Sequence, residues 1–150
     1  MKYMIISDIH GGIYELNKVL DIYSKENCSK LLILGDLFDY GISITRNDIV
    51  NRLNIMKDSI IAVRGNCDNN IKDILFDMPY INKVNLNNKN IILTGHSHIA
   101  CIENIENKLF LNPGSKSKSR RGENSFAIID ENKATIRNLD NEIIEKYNLN

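Results

Sequence analysis

The sequence predicts an α/β fold in which a sheet is layered with helices and completed by antiparallel hairpins. In the first half, short apolar runs alternate with segments whose apolar residues recur at helical spacing. In the second half, apolar runs follow one another with only short polar turns between them. The chain has 150 residues and shows no repeat and no Pro- or Ser-rich linker, so we expect a single domain over residues 1–150.

Strands and helices are predicted in turn over the first part of the chain. Gly12–Lys25 and Asn47–Met56 each carry a stripe of apolar residues on one helical face, and both are predicted helices. Asn69–Phe76 is predicted to be a turn or a short helix. Apolar runs of strand length lie at Lys2–Ser7, Leu31–Leu34, Ser59–Val63 and Asn90–Thr94.

The second half predicts two hairpins. One is joined by Glu106-Asn107 and the other by a short polar turn. For Asp140–Asn150 the sequence leaves strand and helix open. The predicted strand pairs are Ala100–Ile105 with Lys108–Leu111, and Asn124–Asp130 with Lys133–Leu139.

The composition of the chain argues against several classes of protein. Lys+Arg and Asp+Glu both number 19, so no global charge attracts nucleic acid or an anionic membrane. The apolar run at the N-terminus is too short for a signal peptide and meets charge at Asp8. No stretch approaches the roughly 20 apolar residues of a membrane span, and we expect a cytoplasmic protein. The three cysteines form no C-x-x-C, which argues against a disulfide framework or a zinc ribbon.

Four of the predicted strands each run into a polar cluster. Ligands bind beyond the carboxyl ends of strands in open α/β sheets. We expect parallel strands with right-handed crossovers to bring these four ends to one edge. All three histidines of the chain fall within the clusters. The clusters are Ser7–Gly11, Gly35–Asp39, Arg64–Asp68 and Thr94–His98.

The donor types in these clusters suit a metal centre. Asp8 and His10 lie two apart, so an extended backbone would project both to one side, and His96 and His98 repeat that spacing. Each short motif alone is more often a turn, but the joint order, spacing and strand context favour metal binding. Mixed carboxylate, amide and imidazole donors suit Mn²⁺, Fe²⁺, Ni²⁺ or Zn²⁺. The candidate ligands are Asp8, His10, Asp36, Asn66, His96 and His98.

The ordered motifs D-x-H, G-D-x-x-D, G-N-x-D and G-H-x-H resemble the calcineurin-like metallophosphoesterase superfamily. The segments SDIHG, GDLFDYG, VRGNCD, GHSH and LNPGS are similar to its small bacterial and archaeal phosphodiesterase branch. The resemblance spans about residues 2 to 130. It implies a layered α/β/β/α sandwich, with mixed sheets flanked by helices and C-terminal antiparallel hairpins, here shortened relative to the family. It also implies a hydrolase of phosphodiester bonds acting on a small phosphorylated substrate, and a homodimer.

Roles follow from the resemblance, residue by residue. It implies two divalent ions, with Mn²⁺ expected and Ni²⁺, Zn²⁺, Fe²⁺ or Mg²⁺ as alternatives, and in-line attack on phosphorus by a hydroxide that bridges them. Asp68 would fix neighbouring groups, and Asp39 would orient its loop. Asp8, His10 and His98 would hold one ion, Asn66 and His96 the second, and Asp36 both. The residues implied in catalysis are Asp36, Asn66, Cys67, Asp68 and His96.

Three features leave alternatives open. Many relatives have His at the position of Cys67, which is here either a poorer general acid or a spacer. Arg64 is either a phosphate contact or a surface salt bridge. Asn112–Ser115 resembles the family's turn near the metal site and leads into a basic cluster, which is either a solvated loop or a phosphate contact. That cluster consists of Lys116, Lys118, Arg120 and Arg121.

One ligand of the family pattern is missing. Relatives carry a further His in a Thr-His-Gly-type motif, whereas Asn90–Thr94 here runs directly into the final Gly95–His98. The second ion would therefore lose an imidazole, a vacancy that Thr94 or water could fill. This departure keeps a non-catalytic metal-binding or protein-scaffold module in view, because a retromer subunit has the same fold. A nuclease is a third alternative, against which the zero net charge argues.

Overall fold

The computed structural model describes residues 1–39, 44–68, 71–79, 90–115 and 122–149. Within these ranges the chain forms strands, two α-helices and one 3₁₀ turn, at Lys57–Ser59. The helices are α1 (Ile13–Lys25) and α2 (Arg46–Asn54). The strands are β1 (Tyr3–Ile6), β2 (Lys30–Ile33), β3 (Ile60–Ala62), β4 (Ile91–Leu93), β5 (Cys101–Ile105), β6 (Lys108–Asn112), β7 (Ser125–Ile129), β8 (Lys133–Asn138) and β9 (Ile143–Asn148).

The strands form two mixed sheets. The first sheet has the order β3-β2-β1-β7-β8-β9, in which β1, β2 and β3 are parallel and the remaining pairs are antiparallel. The second sheet has the order β4-β6-β5, with β4 parallel to β6 and β5 antiparallel to it. The predicted α/β class with mixed sheets and antiparallel C-terminal hairpins is confirmed. The tail, for which strand and helix stayed open, is the edge strand β9.

The centre of the first sheet is buried on both faces, as the side chains of β1 show. Its residues alternate, as a strand requires: Met4 and Ile6 face a core built with α1 and α2, and Tyr3 and Ile5 face a core shared with the second sheet. All four are buried, so β1 is apolar at every position, which is typical of a central parallel strand. The described layers are therefore helices, first sheet and second sheet.

The prediction that all four ligand-bearing strands share one edge is wrong for β4. That strand pairs with β6 in the second sheet, at Ile91↔Leu109 and Leu93↔Leu111. Ile91 and Leu93 pack against the core between the two sheets, and that packing decides the partner of β4. The carboxyl ends of β1, β2 and β3 therefore meet the end of β4 across the gap between two sheets.

Two predictions fall partly or wholly outside the described ranges. Of Asn69–Phe76, residues 71–76 are described and form turns and bends. The basic cluster at Lys116, Lys118, Arg120 and Arg121 lies outside the described residues. In the part of the chain that the structure describes, no helix is long and apolar enough to cross a membrane.

A polar network ties the end of α1 to the hairpin between β8 and β9. The carboxylate of Glu26 accepts hydrogen bonds from Lys2, from Asn141 Nδ2 at 3.0 Å and from Arg137 Nη1 at 2.8 Å. The guanidinium of Arg137 is buried, so it needs this carboxylate as a partner. The hydrogen bonds from Asn141 and Lys2, with the nearby charges, lower the pKa of Glu26 from its ordinary 4.5 to about 2.

The network predicts a pH dependence of stability. Because the folded pKa of Glu26 lies below its unfolded value, its contribution is complete above about pH 4.5 and is lost as pH falls toward 2. Its side chain is 21% exposed, so we expect a contribution of about 1 to 2 kcal/mol rather than the full value of the shift. Glu26→Gln should remove that part of the pH dependence of the unfolding free energy, measured by urea titration at pH 5 and pH 3. As a control, Glu103→Gln replaces an exposed carboxylate and should keep the wild-type change in unfolding free energy between pH 5 and pH 3. If Glu26→Gln also kept the wild-type change, Glu26 would not be its source.

Candidate metal centre

Three of the six candidate ligands meet in a buried cluster at the ends of β1 and β4. His10 Nε2 lies 3.3 Å from His98 Nε2, and Asp8 Oδ1 lies 3.4 Å from His98 Nε2 and 3.9 Å from His10 Nε2. The side chains of Asp8, His10 and His98 are 1%, 8% and 10% exposed. One ligand atom from each residue lies within 4.8 Å of the other two. A carboxylate and two imidazole nitrogens converging at this separation fit a divalent cation.

The backbone brings the ligands together in a way that the sequence does not indicate. We expected an extended backbone for D-x-H and H-x-H, and that expectation is wrong. Left-handed backbone is rare in residues other than Gly, although Asp and His adopt it more readily than most. The turns that follow the strands need it here, because an extended chain would run on past the cluster. The φ angles are 53° for Asp8, 47° for His10, 53° for Asp36, 67° for His96 and 60° for His98.

The Asp8 carboxylate also joins the two sheets. The backbone N–H of His96 donates to both of its oxygens, at 3.2 Å to Oδ1 and 3.0 Å to Oδ2. Asp8 follows β1 of the first sheet, and His96 follows β4 of the second. One side chain therefore sets the position of the His96–His98 turn, which carries another ligand of the same cluster.

Asp36 is held by the loops on either side of it. Its carbonyl oxygen accepts the N–H of His10 at 3.0 Å, which brings β2's loop beside the first cluster. Its carboxylate Oδ1 accepts the N–H of Cys67 at 2.8 Å. The side chain is buried, so its orientation is fixed by these neighbours. This arrangement places Asp36 between the loop of His10 and the loop of Asn66.

The Asp68 carboxylate fixes the backbone of the Asp36 loop by accepting its N–H groups. It accepts four backbone N–H groups and is buried. Four donors require the lone pairs of an ionised carboxylate. Burial raises the pKa of Asp68, and the four hydrogen bonds act against that rise. The donors are Asp36 at 2.8 Å, Leu37 at 2.7 Å, Phe38 at 3.3 Å and Gly65 at 2.9 Å.

Asn66 and His96 form a second, open set. His96 Nδ1 lies 3.1 Å from Asn66 Oδ1, and both residues are exposed. The Asn66 amide donates to Cys67 Sγ at 3.5 Å, which turns Oδ1 toward His96. Within the described residues, a cluster of three or more His, Cys, Asp or Glu donors is found at Asp8, His10 and His98 and does not extend to this set.

The geometry and the motif order agree with one family. The model of the calcineurin-like phosphoesterases matches residues 1–147. This chain belongs to that family. The calcineurin-like phosphoesterases depend on divalent metal ions, and the chain is accordingly a metal-dependent phosphoesterase, a hydrolase of phosphoester bonds.

Individual relatives are similar to the chain over its whole length. Phosphodiesterase YfcE of Escherichia coli K12 is 28% identical over 183 positions, which cover 100% of this chain and 93% of YfcE. The solved structure of E. coli YfcE, a phosphoesterase, superposes with a TM-score of 0.86 at 27% identity and covers 100% of both chains. Vps29 of Entamoeba histolytica, solved with Zn²⁺, shares the fold at a TM-score of 0.70 and 19% identity over 100% of both chains. The 183 aligned positions exceed the 150 residues here, so YfcE has segments without a counterpart in this chain.

Sequence reasoning missed contacts made by backbone and by supporting side chains. The N–H of His96 on Asp8 has no sequence signal, because any residue supplies a backbone donor. His10 Nδ1 lies 3.2 Å from Asp39 Oδ1, in ion-pair range though not in hydrogen-bond geometry. Asn112 and Ser115 hold two ligand loops, and the segment LNPGS was the available signal.

The four bonds to Asp68 predict a large effect of an isosteric change. In Asp68→Asn, one amide oxygen remains for four backbone donors, and the NH₂ group faces two of them. We expect the free energy of unfolding to fall by about 2 to 4 kcal/mol, measured by denaturant titration. Asp130→Asn is the matched control, because Asp130 Oδ1 accepts only the N–H groups of Asn132 and Lys133 at a surface turn. A loss in Asp68→Asn no larger than in the control would contradict this role.

Proposed function

We propose that the chain is a phosphodiesterase that uses two divalent ions of unequal affinity, with Mn²⁺ as the expected metal. The observation that carries the proposal is the buried cluster of Asp8, His10 and His98 at the junction of the two sheets. The similarity to a phosphodiesterase over the whole chain supports a diester as the substrate. A small phosphorylated molecule fits the open position of His96 and Asn66 beside the cluster.

The first ion would be held by the buried cluster. Its donors are brought together by the fold, because Asp8 and His98 are linked through the His96 N–H bond on the Asp8 carboxylate. Without a cation, two imidazole nitrogens and a carboxylate oxygen face one another in a site with little water. A divalent ion would relieve that desolvation, which favours tight binding.

The second ion would be held more weakly. Asp36, Asn66 and His96 are its proposed ligands, and the chain contains no fourth histidine that could complete them. Asn66 and His96 are exposed, so their polar atoms lose little hydration in the fold, and less is gained there when an ion binds than in the buried cluster. The segments that YfcE has and this chain lacks are consistent with a lost ligand motif. We expect this ion to bind at higher metal concentration or together with substrate.

The metal ions and the side chains around them would have different roles in the reaction. Divalent ions supply Lewis-acid chemistry, in that they activate water as the nucleophile and neutralise charge on the phosphate oxygens. Asp36 would lie between the two sets of ligands, held by the Cys67 N–H. His96 would face the substrate from the exposed side, with its ring turned by Asn66. Cys67 is buried and accepts the Asn66 amide, so we assign it the orientation of Asn66 rather than proton transfer.

The test is hydrolysis of bis-p-nitrophenyl phosphate by chelator-stripped protein during titration with Mn²⁺, with bound metal counted on the same sample. We expect one tight equivalent without turnover, and saturable turnover that follows a second, weaker equivalent. Two equivalents of equal affinity would contradict the asymmetry. Folded protein that shows no turnover with any divalent ion would overturn the proposed function.

The bridging role that we propose for Asp36 predicts a separation of binding from turnover. Asp36→Asn keeps an oxygen for the Cys67 N–H but removes the negative charge between the two sets of ligands. We expect kcat to fall by about 100-fold or more, while the tight Mn²⁺ equivalent at Asp8, His10 and His98 is retained. Glu103→Gln, on the exposed face of β5, should keep wild-type turnover. Normal turnover in Asp36→Asn would rule out the bridging role.

A further inference from the structure

The turn that follows β6 contacts both loops of the buried metal cluster, although it contributes no ligand to it. Ser115 Oγ donates to the carbonyl oxygen of Asp8 at 2.8 Å. Asn112 Nδ2 donates to the carbonyl oxygen of Gly95 at 3.1 Å and to Ser97 Oγ at 3.0 Å. One turn thus holds the loop after β1 and the loop after β4 at the same time.

The turn is itself rigidly built. Asn112 Oδ1 accepts the N–H of Gly114 at 2.9 Å, so all polar groups of the Asn112 amide are used. Gly114 has a φ of +78°, and a Cβ atom there would lie 2.3 Å from Ser125 Oγ. Ser125 Oγ donates to the carbonyl oxygen of Pro113 at 2.7 Å. The side chains of this turn are buried, so its hydrogen bonds do not compete with bulk water.

The ligand loops need such support because their backbone is strained. Asp8, His96 and His98 all have left-handed backbone, which costs energy in residues other than Gly and persists where the surrounding structure holds it. The contact between the loops also crosses from one sheet to the other, where no ladder of strand hydrogen bonds sets the distance. A loop released from the turn would relax toward right-handed backbone and carry its ligand away from the cluster.

We propose that Asn112 and Ser115 are positioning residues that set the affinity of the Asp8–His10–His98 site for its metal ion. Ser115 fixes the position of the Asp8 loop through the Asp8 carbonyl, and Asn112 fixes the position of the Gly95–His98 turn through the Gly95 carbonyl. Neither residue touches the ion or the substrate in this role. The proposal rests on the proposed function to the extent that this cluster binds a divalent ion.

The test measures Mn²⁺ affinity rather than activity. Chelator-stripped wild type, Ser115→Ala, Asn112→Asp and Ser97→Ala are titrated with Mn²⁺ by isothermal calorimetry, and the unfolding of each metal-free protein is followed by circular dichroism. Ser115→Ala and Asn112→Asp should weaken the tight equivalent by about 10- to 100-fold. Ser97→Ala removes the bonds that Ser97 Oγ accepts from Asn112 and from the N–H of Ile99, but it keeps the bond from Asn112 to Gly95. We therefore expect a smaller loss, about threefold, and a fold close to wild type.

Ser125→Ala is the matched control. It removes one buried hydroxyl-to-carbonyl bond of nearly the same length from the same turn, but that bond reaches Pro113 rather than a ligand loop. Its Mn²⁺ affinity should stay within about twofold of wild type. Affinity unchanged in folded Ser115→Ala and Asn112→Asp, or lost equally in Ser125→Ala, would overturn the positioning role. If one of the two variants does not fold, the other decides, and wild-type affinity in it overturns the role. If neither folds, wild-type affinity in Ser97→Ala overturns the role. Wild type without a tight Mn²⁺ equivalent would overturn both this role and the proposed function.

Discussion

The meeting of two sheets at the Asp8 carboxylate is the constraint on which the rest of the centre depends. β1 and β4 belong to different sheets, so no strand pairing sets the distance between the loops that follow them. That distance is set instead by the His96 N–H on Asp8 and by the core between the sheets. Only when it is correct do the His10 and His98 nitrogens come within 3.3 Å of each other. The apolar packing of two sheets is thereby converted into the geometry of a metal site.

Close approach between neighbouring loops explains why glycine precedes three of the candidate ligands. A Cβ at Gly35 would lie 2.5 Å from the backbone nitrogen of Gly65, one at Gly65 would lie 2.1 Å from Asp36 Oδ1, and one at Gly95 would lie 2.1 Å from Ser7 Oγ. Each loop therefore approaches its neighbour more closely than a side chain allows. The ligands that follow Gly35 and Gly95 then adopt left-handed backbone, at a cost of about 1 kcal/mol or more each. The G-D, G-N and G-H pairs are consequences of close loop packing as well as of chemistry.

Much of this architecture follows from local patterns in the sequence. The helix α1 and the strands of both hairpins agree with their apolar periodicity, since burial of one face dictates the spacing. The sheet to which β4 belongs did not follow, because Ile91-Ile92-Leu93 would suit a buried strand in either sheet and its partner is chosen by packing at long range. The left-handed backbone of Asp8 and His98 was not predicted either, because Asp and His also adopt extended and right-handed backbone and the short motifs do not distinguish these conformations. The six candidate ligands were predicted from the order of the motifs and from their resemblance to those of the calcineurin-like metallophosphoesterases. The structure brings Asp8, His10 and His98 together, and the roles of Asp36, Asn66 and His96 remain predictions.

The two halves of the centre differ in what they require of the fold. Asp8, His10 and His98 are buried where the sheets join, so their removal would leave polar groups without water or partners and would disturb the junction itself. Asn66 and His96 are exposed at the surface, where Asn66 Oδ1 lies 3.1 Å from His96 Nδ1 and solvent reaches both side chains. Loss of a ligand from this exposed side would therefore cost the fold little, so a shortened chain could lack one histidine there and keep its core intact. On the proposed function, the same asymmetry would make the buried site the one that folding assembles, and occupancy of the exposed site would depend on the metal concentration and the substrate.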